Sequence, residues 1–377
     1  MKIYRMLITG VLVAMIFSSC QEDELFSEEE ESEETITVDV SPFVELNTLG
    51  GEVSSANAIG QTSTGEPIVV GQAHDEGANW VGFVSTDGNS MESKGTLGGL
   101  TSEVMDTYSG LHVGKAENAA GVNRPVFSAY DDPWTELHMD DNGDTGGEVV
   151  AQSDGGVFIG KGTVDGVLGV PVMWAFGSEG FYNVLDPNNT YDLDLIDINS
   201  NDEVVAFSSS NDNGYLWTNQ DGFQELQAAG YDFVKPTGIN NNSKISCNVY
   251  SGGNSFPAIY DISSGSTTLL DIPSGFDSGF TNAINNNDEV VGAAGSAIQI
   301  TPVYWSANGD PTNLNDVLIV SEADHDALGY NTYVITAVDI NDNGDIAGDG
   351  YFNLNVPEDS QFPDRQREAY LLLAGTY

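Results

Sequence analysis

"AINNNDEVVGAA" (Ala283–Ala294) sets three asparagines and two acids in front of a Val-Val pair and a glycine, and close variants begin at Ile198, Ile239 and Ile340. The polar half reads as a tight turn, because Asn and Gly accept the positive φ that hairpin turns need and Asn or Asp side chains bond back to the backbone. The apolar half reads as a short strand. Anchoring on the small residue that closes each stretch extends the pattern to Gly71, Gly114, Gly160, Ala206, Cys247, Gly292 and Gly348, at intervals of 43, 46, 46, 41, 45 and 56 residues. Beyond most anchors comes a second apolar run: "WVGFVS" (80–85), "RPVFSAY" (124–130), "VPVMWAF" (170–176), "NGYLWTN" (213–219), "FPAIYDI" (256–262), "TPVYWSA" (301–307) and, delayed by an insertion, "EAYLLLA" (368–374). A third strand-like stretch follows in most units, as in "GFQELQA" and "PTNLNDV".

Units of this length, with short strands between Gly, Asn, Asp and Ser clusters and no helical periodicity, match propeller blades. The ends agree. The last unit stops at Tyr377 without its third marker, and "PFVELNTLGG" (Pro42–Gly51), which looks like that marker, precedes the first unit. An N-terminal strand completing the last blade would close the ring and remove an open sheet edge. The expected fold is therefore an all-β, seven-bladed β-propeller over residues 38–377. Six or eight blades, a two-domain β-sandwich arrangement and an open solenoid are the alternatives.

The wording of "DINSNDEVVAFS", "GINNNSKISCNV", "AINNNDEVVGAA" and "DINDNGDIAGDG", with "LNTLGG" before them, resembles the HAF family of extracellular repeats. The resemblance covers about residues 43–377 and is faint in the first three units. It implies an exported, propeller-like repeat protein and no particular reaction.

Lys2 and Arg5, the uncharged run Met6–Phe17 and Ser18-Ser19-Cys20 read as a signal peptide over residues 1–19, with Cys20 as the lipidated N-terminus of the mature chain. The run is too short to span a bilayer. Gln21–Glu34 holds nine acids in fourteen residues, so residues 20–37 are expected to be a disordered tether resembling that of surface-exposed bacterial lipoproteins. This implies outer-membrane attachment through a lipid anchor. Without Lys2 and Arg5, eight Lys and Arg face 58 Asp and Glu, which disfavours nucleic acid and anionic membrane surfaces as partners. With Cys20 lipidated, Cys247 has no intramolecular partner, so a core and not disulfides must hold the chain.

Asp339, Asn341, Asn343 and Asp345, with Gly344 at the sixth position, follow the first half of an EF-hand-type loop. The second half departs, with Gly350 at the twelfth position, and other copies carry Lys244 or Ala283 where a cation would need an acid. Calcium is thus the one cofactor the spacing allows, and the turn reading is preferred. "DDNGD" (140–144) is a second such turn. His74, His112, His138 and His325 fall in different units without zinc spacing. No Gly-x-Ser-x-Gly elbow and no phosphate-cradling glycine motif is present.

Trp174, Trp217, Tyr260 and Trp305 share one strand position and are expected in the core, as is Cys247. Trp80 and Trp134 leave that register and are candidates for exposure. Two irregular segments are candidate binding loops: Ser321–Asn331, with His325 between Asp324 and Asp326, and Tyr351–Glu368, with Arg365 and Arg367. The functional expectation is a non-enzymatic surface lipoprotein whose propeller binds a protein partner or an extracellular glycan. A carboxylate-dependent glycoside hydrolase or lyase acting at the central funnel and a calcium-stiffened structural module are the alternatives.

Overall fold

The computed structural model describes residues 43–377 apart from 87–89, 138–145, 178–181, 189, 297–299, 319–332, 352–366 and 376. The strands form seven four-stranded antiparallel sheets. Six run consecutively in the chain, their innermost strands being Gly50–Gln61, Gly98–Tyr108, Glu148–Gln152, Asp194–Ile198, Phe233–Ile239 and Ser278–Ile284. The seventh is built from Tyr333–Ile340, Ile346–Tyr351 and Arg367–Leu372 with Phe43–Glu45 as its outer strand. Phe43 pairs with Leu372, Val44 with Leu371 and Glu45 with Tyr370, so the expected N-terminal closing strand is in place. "PTNLNDV" is only partly strand: Pro311–Asn313 pairs, and Leu314–Leu318 turns into a short helix that buries Leu314.

A single blade cannot bury both faces of its sheet. Among the described residues the buried apolar side chains accordingly form seven clusters, one between each pair of neighbouring blades. Ile59 and Phe83 of blade 1 pack with Leu46, Ala347, Ala369 and Leu371 of blade 7, which makes the array a closed circle. Trp174, Trp217 and Trp305 lie in these clusters, and Tyr260 packs against one from its edge. Cys247 is buried among Val234, Ile245 and Val249, and burial pushes its thiol up to about 12.

The small anchor residues have a local cause. Each innermost strand carries a β-bulge at one place in the repeat, following Ala56, Val104, Val149, Leu195, Pro236, Thr281 and Ala337. The anchors pair with these residues. At the glycine anchors the carbonyl just before the pair is tipped under the anchor, so that a Cβ on Gly71, Gly114, Gly160 or Gly348 would sit 2.0 Å from the oxygen of Ser55, Glu103, Glu148 or Thr336. The obstacle is the blade's own bulged strand. Blades 4 and 5 tolerate Ala206 and Cys247 at the same place.

Gly292→Ala would place its Cβ 1.9 Å from the carbonyl oxygen of Phe280. It is expected to lower stability by about 1–3 kcal/mol in urea unfolding, as overpacking of a tight site does. Ala206→Gly should cost no more than about 1 kcal/mol.

Candidate functional site

The polar half of the repeat is a turn that also fastens the next blade. Asn285 Oδ1 accepts the N–H groups of Asn287 and Glu289, both at 3.0 Å. Its Nδ2 donates to the Glu289 carboxylate at 2.7 Å and to the carbonyl of Asn341, in the following blade, at 2.9 Å. Asn199, Asn240 and Asn341 repeat this, reaching the carbonyls of Asn240, Asn285 and Gly60 at 3.0, 2.9 and 3.3 Å. Only an amide both accepts and donates in this way, so Asn and not Asp recurs here. Three residues on, the chain takes positive φ at Asp202, Ser243, Asp288 and Gly344.

The calcium-like residues are used by this device. Asn341 Oδ1 takes the N–H groups of Asn343 and Asp345. The Asp345 carboxylate takes Ala374 N–H and Asn341 Nδ2, both at 2.9 Å, and Asn343 Nδ2 donates to the carbonyl of Gly65 at 2.8 Å. Among the described residues no three Asp, Glu, His or Cys groups are placed to hold one metal ion.

Asp339 belongs to a different set. The residue after the bulge is Ala58, Asp106, Ala151, Asp197, Gly238, Ala283 and Asp339 in blades 1 to 7. Oδ1 of the three aspartates accepts the next N–H of its own strand, from Thr107, Ile198 and Ile340 at 2.6, 2.8 and 2.8 Å. Oδ2 crosses the seam to the N–H of Gln152, Ile239 and Ile59 at 2.7, 2.8 and 2.8 Å. In each receiving blade the post-bulge residue is Ala or Gly. Two such aspartates in adjacent blades would crowd like charges at one seam, and a ring of seven blades has room for these three and no more.

The three carboxylates line a central cavity of about 140 Å³. Burial comes first in raising them, against the opposing effect of their N–H bonds: Asp106 to about 6, Asp339 to about 7 and Asp197 to about 8, with repulsion from nearby aspartates adding to the rise. The protein encloses them on all sides, yet each keeps part of its surface open to the channel, where solvent tempers the rise. Gln61 and Gln152 line the same cavity, and Tyr108, Asp154, Asn241, Asn286 and Asp342 line its outer part. Asn241 Nδ2 spans the opening to Asp154 at 2.7 Å, and Asn286 Nδ2 bonds Asp342 at 2.9 Å.

Other expected site residues lie elsewhere. Trp134 is buried, 8 % exposed, in the cluster between blades 1 and 2, with its Nε1 bonded to the carbonyl of Gly95 at 3.2 Å. The expected exposure is corrected: its strand register breaks because it seals that interface. Trp80 is half-buried with its ring 4.2 Å from His74. Arg367 pairs with buried Asp349, which also takes the Ser55 hydroxyl and the Ala56 N–H at 3.1 and 2.9 Å, so Arg367 belongs to the closing seam. Cys20, the acidic segment, His138, the 140–144 turn, Asp324, His325, Asp326 and Arg365 lie outside the described residues. The two candidate loops flank residues that pair side by side, Tyr333 with Tyr351 and Tyr351 with Arg367. Asp106, Asp197, Gln61 and Gln152 were not singled out in the sequence. The signal was the acid two residues before the turn asparagine in "DIN" at 197 and 339, where the other copies have Gly238 and Ala283.

No family model matches the chain, and no curated protein does. Among solved structures the chain is similar to YCF48 bound to D1 peptide, at 14 % identity with a TM-score of 0.51 over 89 % of this chain and 98 % of that one. It is also similar to the β-propeller domain of the Trilobed protease from Pyrococcus furiosus, described as having an open velcro topology (11 % identity, TM-score 0.51, 86 % and 96 % covered). An oligogalacturonate lyase in complex with manganese shares 10 % identity at a TM-score of 0.50, with 88 % and 91 % covered. At these identities the likeness shows the fold: the chain is a seven-bladed β-propeller.

Asn285→Ala should lower stability by on the order of 3 kcal/mol, because several backbone groups lose their partner at once. For the aspartates the folded pKa lies above the unfolded value of 3.8, so the folded state holds protons the unfolded chain has released. Stability is therefore expected to fall as pH rises from about 4 to about 8. Asp197→Asn should flatten that slope, whatever its effect on the absolute melting temperature; an unchanged slope would contradict the assignment.

Proposed function

We propose that this chain is a surface-exposed, outer-membrane lipoprotein of HAF-type repeats whose propeller serves as a non-enzymatic scaffold for binding a protein partner. The observation that carries the reading is the state of the channel carboxylates. Asp106, Asp197 and Asp339 stand where an enzyme of the carboxylate class would need them, yet both oxygens of each accept backbone N–H bonds that hold neighbouring blades together. Groups fixed in this way shape a polar well and hold the ring. The lipobox at Cys20 and the acidic stretch after it support attachment at the cell surface. The similarly folded propeller YCF48, seen with a bound peptide, gives a precedent for the fold in this role and nothing about the partner here.

Extraction of the full chain in mild detergent, followed by crosslinking and mass spectrometry, is expected to recover a reproducible protein partner. Recovery of the chain alone, or binding to a glycan array in its place, would contradict the reading. Cys20→Ala should shift the protein from the membrane fraction to the soluble fraction.

A further inference from the structure

We propose that the central channel is a receptor for a primary alkylammonium group, the end of a lysine side chain or of a free polyamine. The inference rests on the binding reading above and names the chemistry of what is bound. The cavity lining includes five aspartates, Asp106, Asp154, Asp197, Asp339 and Asp342, and no Lys, Arg or His. A second observation is independent of this charge. Gln152 is only 6 % exposed, and its Nε2 donates to the carbonyl of Leu111 at 2.9 Å. That bond fixes which end of the amide remains, and its Oε1 has no hydrogen-bond partner. The buried Oε1 of Gln61 is likewise without a partner on the same lining. One N–H of the Asn241 amide is given to Asp154 and one of the Asn286 amide to Asp342.

The cavity therefore offers acceptor oxygens to a ligand that brings donors and positive charge. Each channel carboxylate oxygen accepts one backbone N–H in the structure and keeps a further lone pair. Three kinds of cation are drawn to such oxygens in general. A bare metal ion is disfavoured, because among the described residues no three carboxylate, His or Cys groups gather to hold one. A guanidinium pairs most strongly with a carboxylate presenting both oxygens in parallel, whereas here the two oxygens of each Asp are turned to two different strands. An ammonium takes three separate acceptors at the end of a narrow stem, which suits a cavity of about 140 Å³. Tyr108, 36 % exposed, belongs to the same lining and brings an aromatic ring.

Proton linkage gives the site a signature. Burial raises Asp106, Asp154, Asp197 and Asp339, with Tyr108 also raised, and Asp342 faces the same space. His112, behind Thr107, is pushed down to about 4 by burial and brings no charge at neutral pH. A bound ammonium favours the carboxylate forms, so binding releases protons and tightens as pH rises from 5.5 to 8.5.

The test is calorimetry on the full chain in detergent with Nα-acetyl-lysine methylamide, 1,5-diaminopentane, Nα-acetyl-norleucine methylamide and calcium chloride at matched ionic strength. Saturable binding of the first two, at least tenfold tighter than the norleucine compound and tightening with pH, is expected. The double variant Gln61→Met, Asp154→Asn should weaken it at least tenfold. Should that variant fail to fold, the norleucine and pH comparisons on the wild-type chain decide alone. A tighter lysine compound assigns the site to a protein-borne amine, and a tighter diamine to a free polyamine. No saturable binding, equal binding of norleucine, calcium binding in preference to both amines, or binding indifferent to a folded double variant would overturn the proposal. A chain that captures a protein partner but binds no amine would overturn this inference alone, whereas amine binding without a recovered partner would overturn the scaffold reading and leave the site.

Discussion

The inner edge of every sheet in a propeller has backbone N–H groups with no further strand to receive them, and this protein's channel is organised around that need. Asp106, Asp197 and Asp339 meet it at three seams by joining an N–H of their own strand to one of the next. Other seams use related means. Asn57 Nδ2 reaches the carbonyl of Val104 at 2.9 Å, Asn282 Nδ2 that of Ala337 at 2.7 Å, and the hydroxyls of Thr237 and Thr281 meet at 2.8 Å. The bulge that tips these side chains toward the neighbour is the same bulge that forces glycine at most anchors. One local distortion, repeated, therefore sets both the seam chemistry and the most regular letter of the repeat.

Seams of this kind divide the labour of stability. The apolar clusters between blades supply the non-directional attraction, and the polar bonds fix register and angle. A carboxylate that must stay enclosed to do this is raised toward neutrality, and the lining around it carries no Lys, Arg or His. The features that hold the ring also prepare it for a cationic guest.

Much of the fold was legible in the residues themselves. The anchors, the shared Trp position and the displaced "PFVELNTLGG" stretch carry blade number and closure, because each repeats a packing demand. Units 1 to 3 were faint for a physical reason. Blade 2, for example, turns through Ser109 and Gly110, both at positive φ, and has no need of the asparagine loop. Trp134 misled because its role is set by a neighbouring blade and not by its own strand period. The channel was the least legible part. Recognising Asp106 as the partner of Asp197 and Asp339 requires the bulge, which shifts register without leaving a mark in composition, and an acidic chain offers many equivalent-looking aspartates.

The most direct test of this account is backbone hydrogen exchange at Ile59, Gln152 and Ile239, whose N–H groups point out of the sheet toward an aspartate of the preceding blade. The account predicts that all three exchange as slowly as the paired centres of the strands, and that Asp339→Asn speeds Ile59 alone. Exchange at the rate of exposed turn amides in the wild-type chain would contradict it.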